Sequence, residues 1–239
     1  RQWVHAIVGT FIGALAGAIV APLGGTGVQG KLASLGSRVP LIYVDSPGAD
    51  DAPFVGTDNR HSFGLIVDYL CRSGDAPCFL GMPDVNRNAH AHRIAYERAM
   101  AAAGHDPMVL PIPEGSSWDF EKFGHEQMCR AMQAGLPSGT LLCANDRIAF
   151  GALLAAWEAG RRVGHGAGFD LRIAGHDDHP LARYTCPPLT TVAQDYAEIA
   201  RQATARLLAM LGERDPEPAP EGGGDQLLLK ASIMLRSSA

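Results

Sequence analysis

From Asp58 onward, short apolar, β-prone runs alternate repeatedly with longer segments whose apolar residues recur every three or four positions. Nothing else in the sequence constrains the fold as tightly. Phe63, Ile66, Val67 and Leu70 predict the inner face of a helix capped by Asp58 or Asn59 and ended by Gly74. Cys78 to Leu80 reads as a strand, Ala89 to Ala103 as a helix and Met108 to Ile112 as a strand. Trp118 opens a helix with Phe123, Met128 and Met132 inward; Thr140 to Ala144 is a strand, and Asn145 caps the helix that runs to Gly160. Strands without a polar face, separated by helices, predict parallel sheets covered on both sides.

The pattern continues through Leu171 to Tyr196. Leu171, Ile173 and Ala174 form a strand ending at Gly175, and His176, Asp177, Asp178 and His179 follow where the strand's carboxyl end opens to solvent. Pro187 and Pro188 interrupt regular structure before a second β run, Leu189 to Val192, which ends in Gln194 and Asp195. A helix from Asp195 to Leu211 then places Ile199, Ala203, Leu207, Leu208 and Leu211 on one face. A breaker-rich loop, Gly212 to Asp225, leads to a last β run, Gln226 to Leu235.

Before Asp58, Trp3 to Leu23 is almost uncharged and carries Gly9, Gly13 and Gly17 at small-xxx-small spacing, as packed membrane helices do. His5, Thr10 and the breakers Pro22, Gly24 and Gly25 favour instead a helix from Trp3 to Leu15 and a buried strand from Ala18 to Ala21. Gly25, Gly27 and Gly30 then spell GxGxxG, with Asp45 20 residues beyond Gly25 at the end of a strand, Leu41 to Val44. That is the outline of a dinucleotide fingerprint. Pro22 and Leu23 intervene before the glycines, however, and the following helix, about Lys31 to Gly36, is short, so the plainer reading is a surface turn. The same stretch fails as a phosphate loop because Leu32 stands where a magnesium-holding hydroxyl is needed.

The net charge of −5 argues against this chain gripping a phosphate backbone by itself. Five cysteines, Cys71, Cys78, Cys129, Cys143 and Cys186, are odd in number and lack a CxxC pair, which suggests buried free thiols and a cytoplasmic protein without a membrane span. No GxSxG, HExxH or zinc-ligand spacing is present, so the expectation is a protein that is not an enzyme and needs no cofactor or metal. His90 and His92 lie two apart on a helix and point to different sides, while His176 and His179 read as part of a polar loop.

The stretches GHDD and PLARYTCPPLTTVAQDY, with TLLCANDRIAFGALLAAWEAG from Thr140 and FVGTDNRHSFGLIVDYL from Phe54, resemble the lactose-repressor (LacI/GalR) family of sugar-responsive transcription regulators. The matches run from about Ala16 to near the carboxyl terminus, in the family's order. The resemblance implies an α/β chain of two doubly wound parallel-sheet lobes, periplasmic-binding-protein-like type I, with a ligand cleft between them and three chain crossings. Residues 1–57 with 195–223 would form the amino-terminal lobe, and residues 58–194 with 224–239 the carboxy-terminal lobe. The resemblance also implies that the family's helix-turn-helix head, hinge and first strand and helix are missing from this sequence, none of them preceding Arg1. The chain then reads as a dimerising, effector-sensing core that touches operator DNA only through that head.

Asp45, Asn145, Asp177 and Gln194 each sit at the carboxyl end of an expected strand, the rim where open α/β sheets bind ligands. Amides and carboxylates there suit a sugar or related polyol, because a carboxylate can accept from two neighbouring hydroxyls. The resemblance adds that Asp45, Asn145 and Asp177 match ligand contacts, that Trp118 matches an aromatic platform and that Tyr196 matches a residue closing the pocket. It also exposes a departure: the family's two arginines at i, i+2, the second of which contacts ligand, are here His90 and His92, beside Arg93. His92 therefore joins the candidates, with different chemistry, since histidine offers one donor and one acceptor where arginine offers a fixed fork of donors. The alternatives in other classes are a transporter's solute-binding receptor and a dinucleotide enzyme using Gly25 to Gly30.

Overall fold

A computed structural model describes residues 15–22, 24, 26–48, 52–115, 118–213 and 225–239. The helix expected from Trp3 to Leu15 lies, apart from Leu15, outside the described residues, as does most of the loop before Asp225. Among the described residues no helix is long and apolar enough to cross a membrane. The chain divides into two compact units: unit 1 comprises Arg1–Gly56 and Tyr196–Leu229, and unit 2 comprises Thr57–Asp195 and Lys230–Ala239.

In unit 1, β1 (Ala18–Val20), β2 (Leu41–Val44), β3 (Phe54–Thr57) and β9 (Gln226–Leu229) form one sheet in the order β1-β2-β3-β9. The pairs β1–β2 and β2–β3 are parallel. The alternation along β2 shows why helices cover both faces. Leu41 and Tyr43 pack with Phe54 and with Leu35 of α1 (Thr26–Gly36), whereas Ile42 and Val44 pack with Val55 and with Ile199 and Ala203 of α6 (Tyr196–Met210). Side chains on a strand point alternately to opposite faces, so an all-apolar strand needs a helix on each side.

Unit 2 is built the same way. Its parallel sheet has the order β5-β4-β6-β7, from β4 (Cys78–Leu80), β5 (Met108–Val109), β6 (Thr140–Cys143) and β7 (Arg172–Ala174). β8 (Thr191–Ala193) extends it through the parallel bridges Ala174 to Thr190 and Asp177 to Ala193, and β10 (Ser232–Met234) closes the edge antiparallel to β8. The helices are α2 (Asn59–Ser73), α3 (Arg87–Ala102), α4 (Phe120–Ala134) and α5 (Asp146–Glu158). They bury Phe63, Ile66, Val67, Leu70, Tyr96, Met100, Met128 and Ile148 in one apolar core. Asp58 caps α2 by accepting from the His61 amide at 3.1 Å, and Asn145 caps α5 by accepting from the Ile148 amide at 2.9 Å. α4 and α5 cross so closely that a Cβ on Gly124 would lie 2.1 Å from the Ile148 carbonyl oxygen, and one on Gly151 would lie 2.0 Å from that of Glu121.

Several expectations need correction. α1 begins at Thr26, so Gly27 and Gly30 lie inside a helix rather than in a surface turn. The strand expected to Ile112 stops at Val109, because Leu110 is the last residue whose amide reaches the neighbouring strand, at Phe79. Trp118 precedes α4 instead of opening it, with Asp119 as the cap residue. The closing run Gln226 to Leu235 is two strands: β9 lies beside β3 in unit 1 and β10 pairs with β8 in unit 2, so 226–229 belong with the amino-terminal unit. Of the five thiols, all free, only Cys78 and Cys143 are buried; Cys186 is exposed, following a loop turn rather than an apolar run.

Candidate ligand-binding site

In unit 2 the chain runs outward from β4 to β5 and then returns across β4 to place β6 on its other side. At such a reversal the loops leaving the strands diverge, and the carboxyl ends of the two central strands open a crevice. Asn145 follows β6 there, with its side chain used as the α5 cap and the residue buried. His92, also buried, reaches the same edge, its Nδ1 3.0 Å from the Ala144 carbonyl oxygen. A carbonyl only accepts, so Nδ1 carries the proton. Burial, with a smaller contribution from the neighbouring His176, pushes the ring's pKa down to about 4.

After β7 the chain makes an abrupt turn. Asp177 has φ 117° and Asp178 has φ 49°; Asp45, at the end of β2 in unit 1, has φ 64°. These are the only non-glycine residues with positive φ among those described, and all three are aspartates at the carboxyl ends of strands. The values for Asp178 and Asp45 are ones an aspartate tolerates, but 117° is a conformation an L residue keeps only when its surroundings impose it. The surroundings here are hydrogen bonds. The Asp177 amide donates to the Val192 carbonyl at 2.8 Å, and its Oδ1 accepts from Gln194 Nε2 at 2.7 Å and lies 3.0 Å from His176 Nδ1.

His176 was expected to face solvent and is instead fully buried, its ring stacked on that of Phe63 at 4.9 Å. Asp178 was expected to be a solvated loop residue. It pairs with Arg236 Nη2 at 2.5 Å, with both side chains largely covered, so it anchors the carboxy-terminal segment. Gln194 sits beside Asp177 but spends both ends of its amide within unit 2, since Oε1 accepts from the Thr57 hydroxyl at 2.6 Å. Trp118 is exposed, 5.5 Å from the Phe120 ring, over which the Arg147 guanidinium lies at 5.1 Å. Glu121 holds that guanidinium bidentately at 2.6 Å through each pair of atoms. Asp45 and Tyr196 are both exposed in unit 1.

Sequence reasoning missed Asp146, which is completely buried. Its Oδ1 accepts from the Thr191 hydroxyl at 2.6 Å and its Oδ2 from the His179 amide at 2.7 Å, tying α5 to the loop after β7 and to β8. An acidic residue in a helix's first turn reads from sequence as a dipole complement, which hides this role. Burial, reinforced by the nearby Asp177 charge, raises its pKa to about 8 against the opposing hydrogen bonds.

A pH dependence follows from these two groups. In the unfolded chain Asp146 would ionise near 3.8, whereas folded it keeps its proton to about 8, so the folded state holds the extra proton and stability falls as pH rises between those values. His92 acts in the opposite sense. Unfolded it takes a proton below 6.5 and folded only near 4, so its contribution is lost as pH falls through that window. The two slopes offset one another between roughly pH 4 and 6.5 and leave Asp146 alone above, a loss of about 2 kcal/mol by pH 8. Urea unfolding of unit 2 should show that fall, and Asp146→Asn should abolish it while uncovering the His92 slope on the acid side. A variant that keeps the alkaline fall would assign it to another group.

Two α/β units built on parallel sheets, one carrying a strained, hydrogen-bonded carboxylate beyond the carboxyl end of β7, define a doubly wound fold. Residues 74–238 match the family model for the periplasmic binding protein-like domain. The lactose operon repressor of Escherichia coli (strain K12) is 34% identical over 177 residues, covering 73% of this chain and 46% of that protein. The HTH-type transcriptional repressor PurR of Haemophilus influenzae (strain PittEE) is 32% identical over 187 residues, covering 75% of this chain and 52% of that protein. A LacI transcriptional regulator from a Rhodococcus species superposes with a TM-score of 0.80 at 22% identity, covering 98% of this chain and 82% of that one, a likeness of fold. The chain belongs to the periplasmic binding protein-like domain family, in the form of the effector-binding core of lactose-repressor (LacI/GalR) regulators. It spans about half the length of the curated relatives it matches.

Proposed function

We propose that this chain is the effector-sensing core of a cytoplasmic, sugar-responsive transcriptional repressor, binding a small polyhydroxylated ligand and passing its occupancy to a DNA-reading head elsewhere in the protein. The observation that carries the reading is Asp177, a carboxylate with 30% of its side chain accessible, held at φ 117° on the rim of the unit 2 sheet. Asp45, His92, Trp118, Asn145 and Tyr196 are the further proposed contacts, with Gln194 acting through Asp177. Five free cysteines support a reducing compartment. The coupling is one of linkage: a ligand that prefers one arrangement of the core shifts the population toward it, and operator affinity shifts by the same coupling free energy.

A thermal-shift panel of D-glucose, D-ribose, D-galactose, D-gluconate, myo-inositol and adenosine tests the ligand class. A saturable rise with at least one neutral sugar or polyol is expected, and a rise with adenosine alone would replace the sugar reading with a nucleoside one.

The same proposal includes a homodimer, and the surface of unit 2 supports it. Leu154 and Trp157 of α5 are exposed at 48% and 73%, and Leu181 and Tyr184 of the loop after β7 at 56% and 77%. That loop is tied to α5 by the Phe150–His179 ring contact at 5.5 Å. Large apolar side chains grouped this way mark an interaction surface. Sedimentation at tens of micromolar should show a dimer, and Trp157→Asp should raise its dissociation constant by roughly thirtyfold or more. An unchanged dimer would move the interface off α5.

A further inference from the structure

His176 meets a polar group at each ring nitrogen. Nδ1 is 3.0 Å from Asp177 Oδ1, and Nε2 is 2.9 Å from the Ser62 hydroxyl at the start of α2. A carboxylate can only accept, so the proton on that side belongs to Nδ1. In a neutral ring Nε2 is then a bare acceptor, which the Ser62 hydroxyl satisfies; both residues are fully buried, so an unpaired nitrogen there would be costly. Gln194 sends a second donor to the same carboxylate oxygen at 2.7 Å and is itself oriented by the Thr57 hydroxyl. With a carbonyl oxygen engaged by Thr57, its amide group has only one way to face. Two donors therefore converge on Oδ1, while Oδ2 accepts no hydrogen bond from the described residues.

We propose that His176 and Gln194, seated by Ser62 and Thr57, are positioning residues that occupy Asp177 Oδ1 and turn Oδ2 outward as the single acceptor this carboxylate offers a ligand hydroxyl. This rests on Asp177 being a ligand contact, and it narrows the chemistry. Two vicinal hydroxyls cannot be chelated across both oxygens of Asp177, so recognition there is of one hydroxyl at a defined angle. The burial of Ser62 and His176 also separates this Ser–His–Asp array from a nucleophilic one: the hydroxyl has no access to a substrate, and the acceptors its proton meets are the ring at 2.9 Å and, at 3.3 Å, the Asn59 carbonyl.

Nitrogen-15 NMR of histidine-labelled protein at pH 7.5 tests the relay without any ligand. The His176 signals are assigned with His176→Phe, which preserves a ring against Phe63. The expected result is a neutral ring protonated on Nδ1. Asp177→Asn keeps a carbonyl oxygen at Oδ1 and should leave that tautomer unchanged. Asp177→Ala removes the acceptor, and the proton should move to Nε2, where Ser62 accepts it and passes its own to the Asn59 carbonyl, 3.3 Å away. A parent ring protonated on Nε2, a charged imidazolium, or an Asp177→Ala variant that keeps the parent tautomer would each overturn the relay. The reading beneath it fails separately. If Asp177→Asn gives the parent's thermal shift with the compounds of the panel above, Asp177 is not a ligand contact, whatever the tautomer.

Discussion

Gly151→Ala is expected to destabilise unit 2 by about 3 kcal/mol or more, a large part of the stability of an ordinary domain. Helix propensity alone would favour alanine by nearly 1 kcal/mol, so the sign is decided by packing. A Cβ at residue 151 would sit 2.0 Å from the Glu121 carbonyl oxygen and 2.5 Å from the His125 nitrogen, both backbone atoms of α4. No rotamer change relieves a collision with backbone, so the two helices must separate along a contact that also holds Gly124 against Ile148. Separation opens space beside Phe123, Met128 and Ile148, and tightly packed cores pay for lost contacts on both sides of a gap. Gly64→Ala, inside α2, is the comparison: nothing lies within 4 Å of its added Cβ and its φ is not positive, so helix propensity leaves it neutral or stabilising by up to about 1 kcal/mol. Chemical denaturation of the two variants should separate them clearly, and equal midpoints would mean that α4 and α5 do not touch along this line.

The second large effect concerns Asp177. Asp177→Asn should weaken effector binding ten- to a hundredfold, which is about 1.5 to 3 kcal/mol for a charge-assisted hydrogen bond lost and an acceptor turned into a donor. The amide keeps an oxygen for Gln194 and His176, so the unliganded protein should melt close to the parent. Asp177→Ala should lose the same affinity and also some stability, because it leaves the Gln194 amide and the buried His176 Nδ1 without their partner at a cost of about 1 to 3 kcal/mol. A compound at a hundred times its dissociation constant should stabilise the parent by about 2.7 kcal/mol. Most of that increment should be missing from both variants at the same concentration, and full retention in either would remove Asp177 from the site.

Much of this architecture is legible in the sequence, for a physical reason. Cys78 to Leu80, Leu41 to Val44 and the helix under Phe63, Ile66, Val67 and Leu70 are set by local periodicity, and the structure places all three as read. Asn145 announced itself as a helix cap following a strand, and it is one. What local pattern cannot carry is who meets whom at the strand ends. His176, Asp177 and Asp178 looked alike in sequence, yet one is buried in a ring stack, one is the rim carboxylate and one clamps Arg236 58 residues away. Ser62 lay unremarked between a cap and a core phenylalanine, because its partner at residue 176 is 114 positions distant. The split of the last β run was equally hidden: Leu227 and Ala231 are both buried, but against different sheets.

The central claim is that this chain senses a small polar effector, and calorimetric titration with the neutral sugars and polyols of the panel tests it most directly. The account predicts saturable binding of one molecule per chain for at least one of them, with affinity reduced ten- to a hundredfold in Asp177→Asn. Saturable binding of equal strength in parent and variant would contradict the site, and no heat with any of these compounds, together with no shift in melting temperature, would contradict the claim itself.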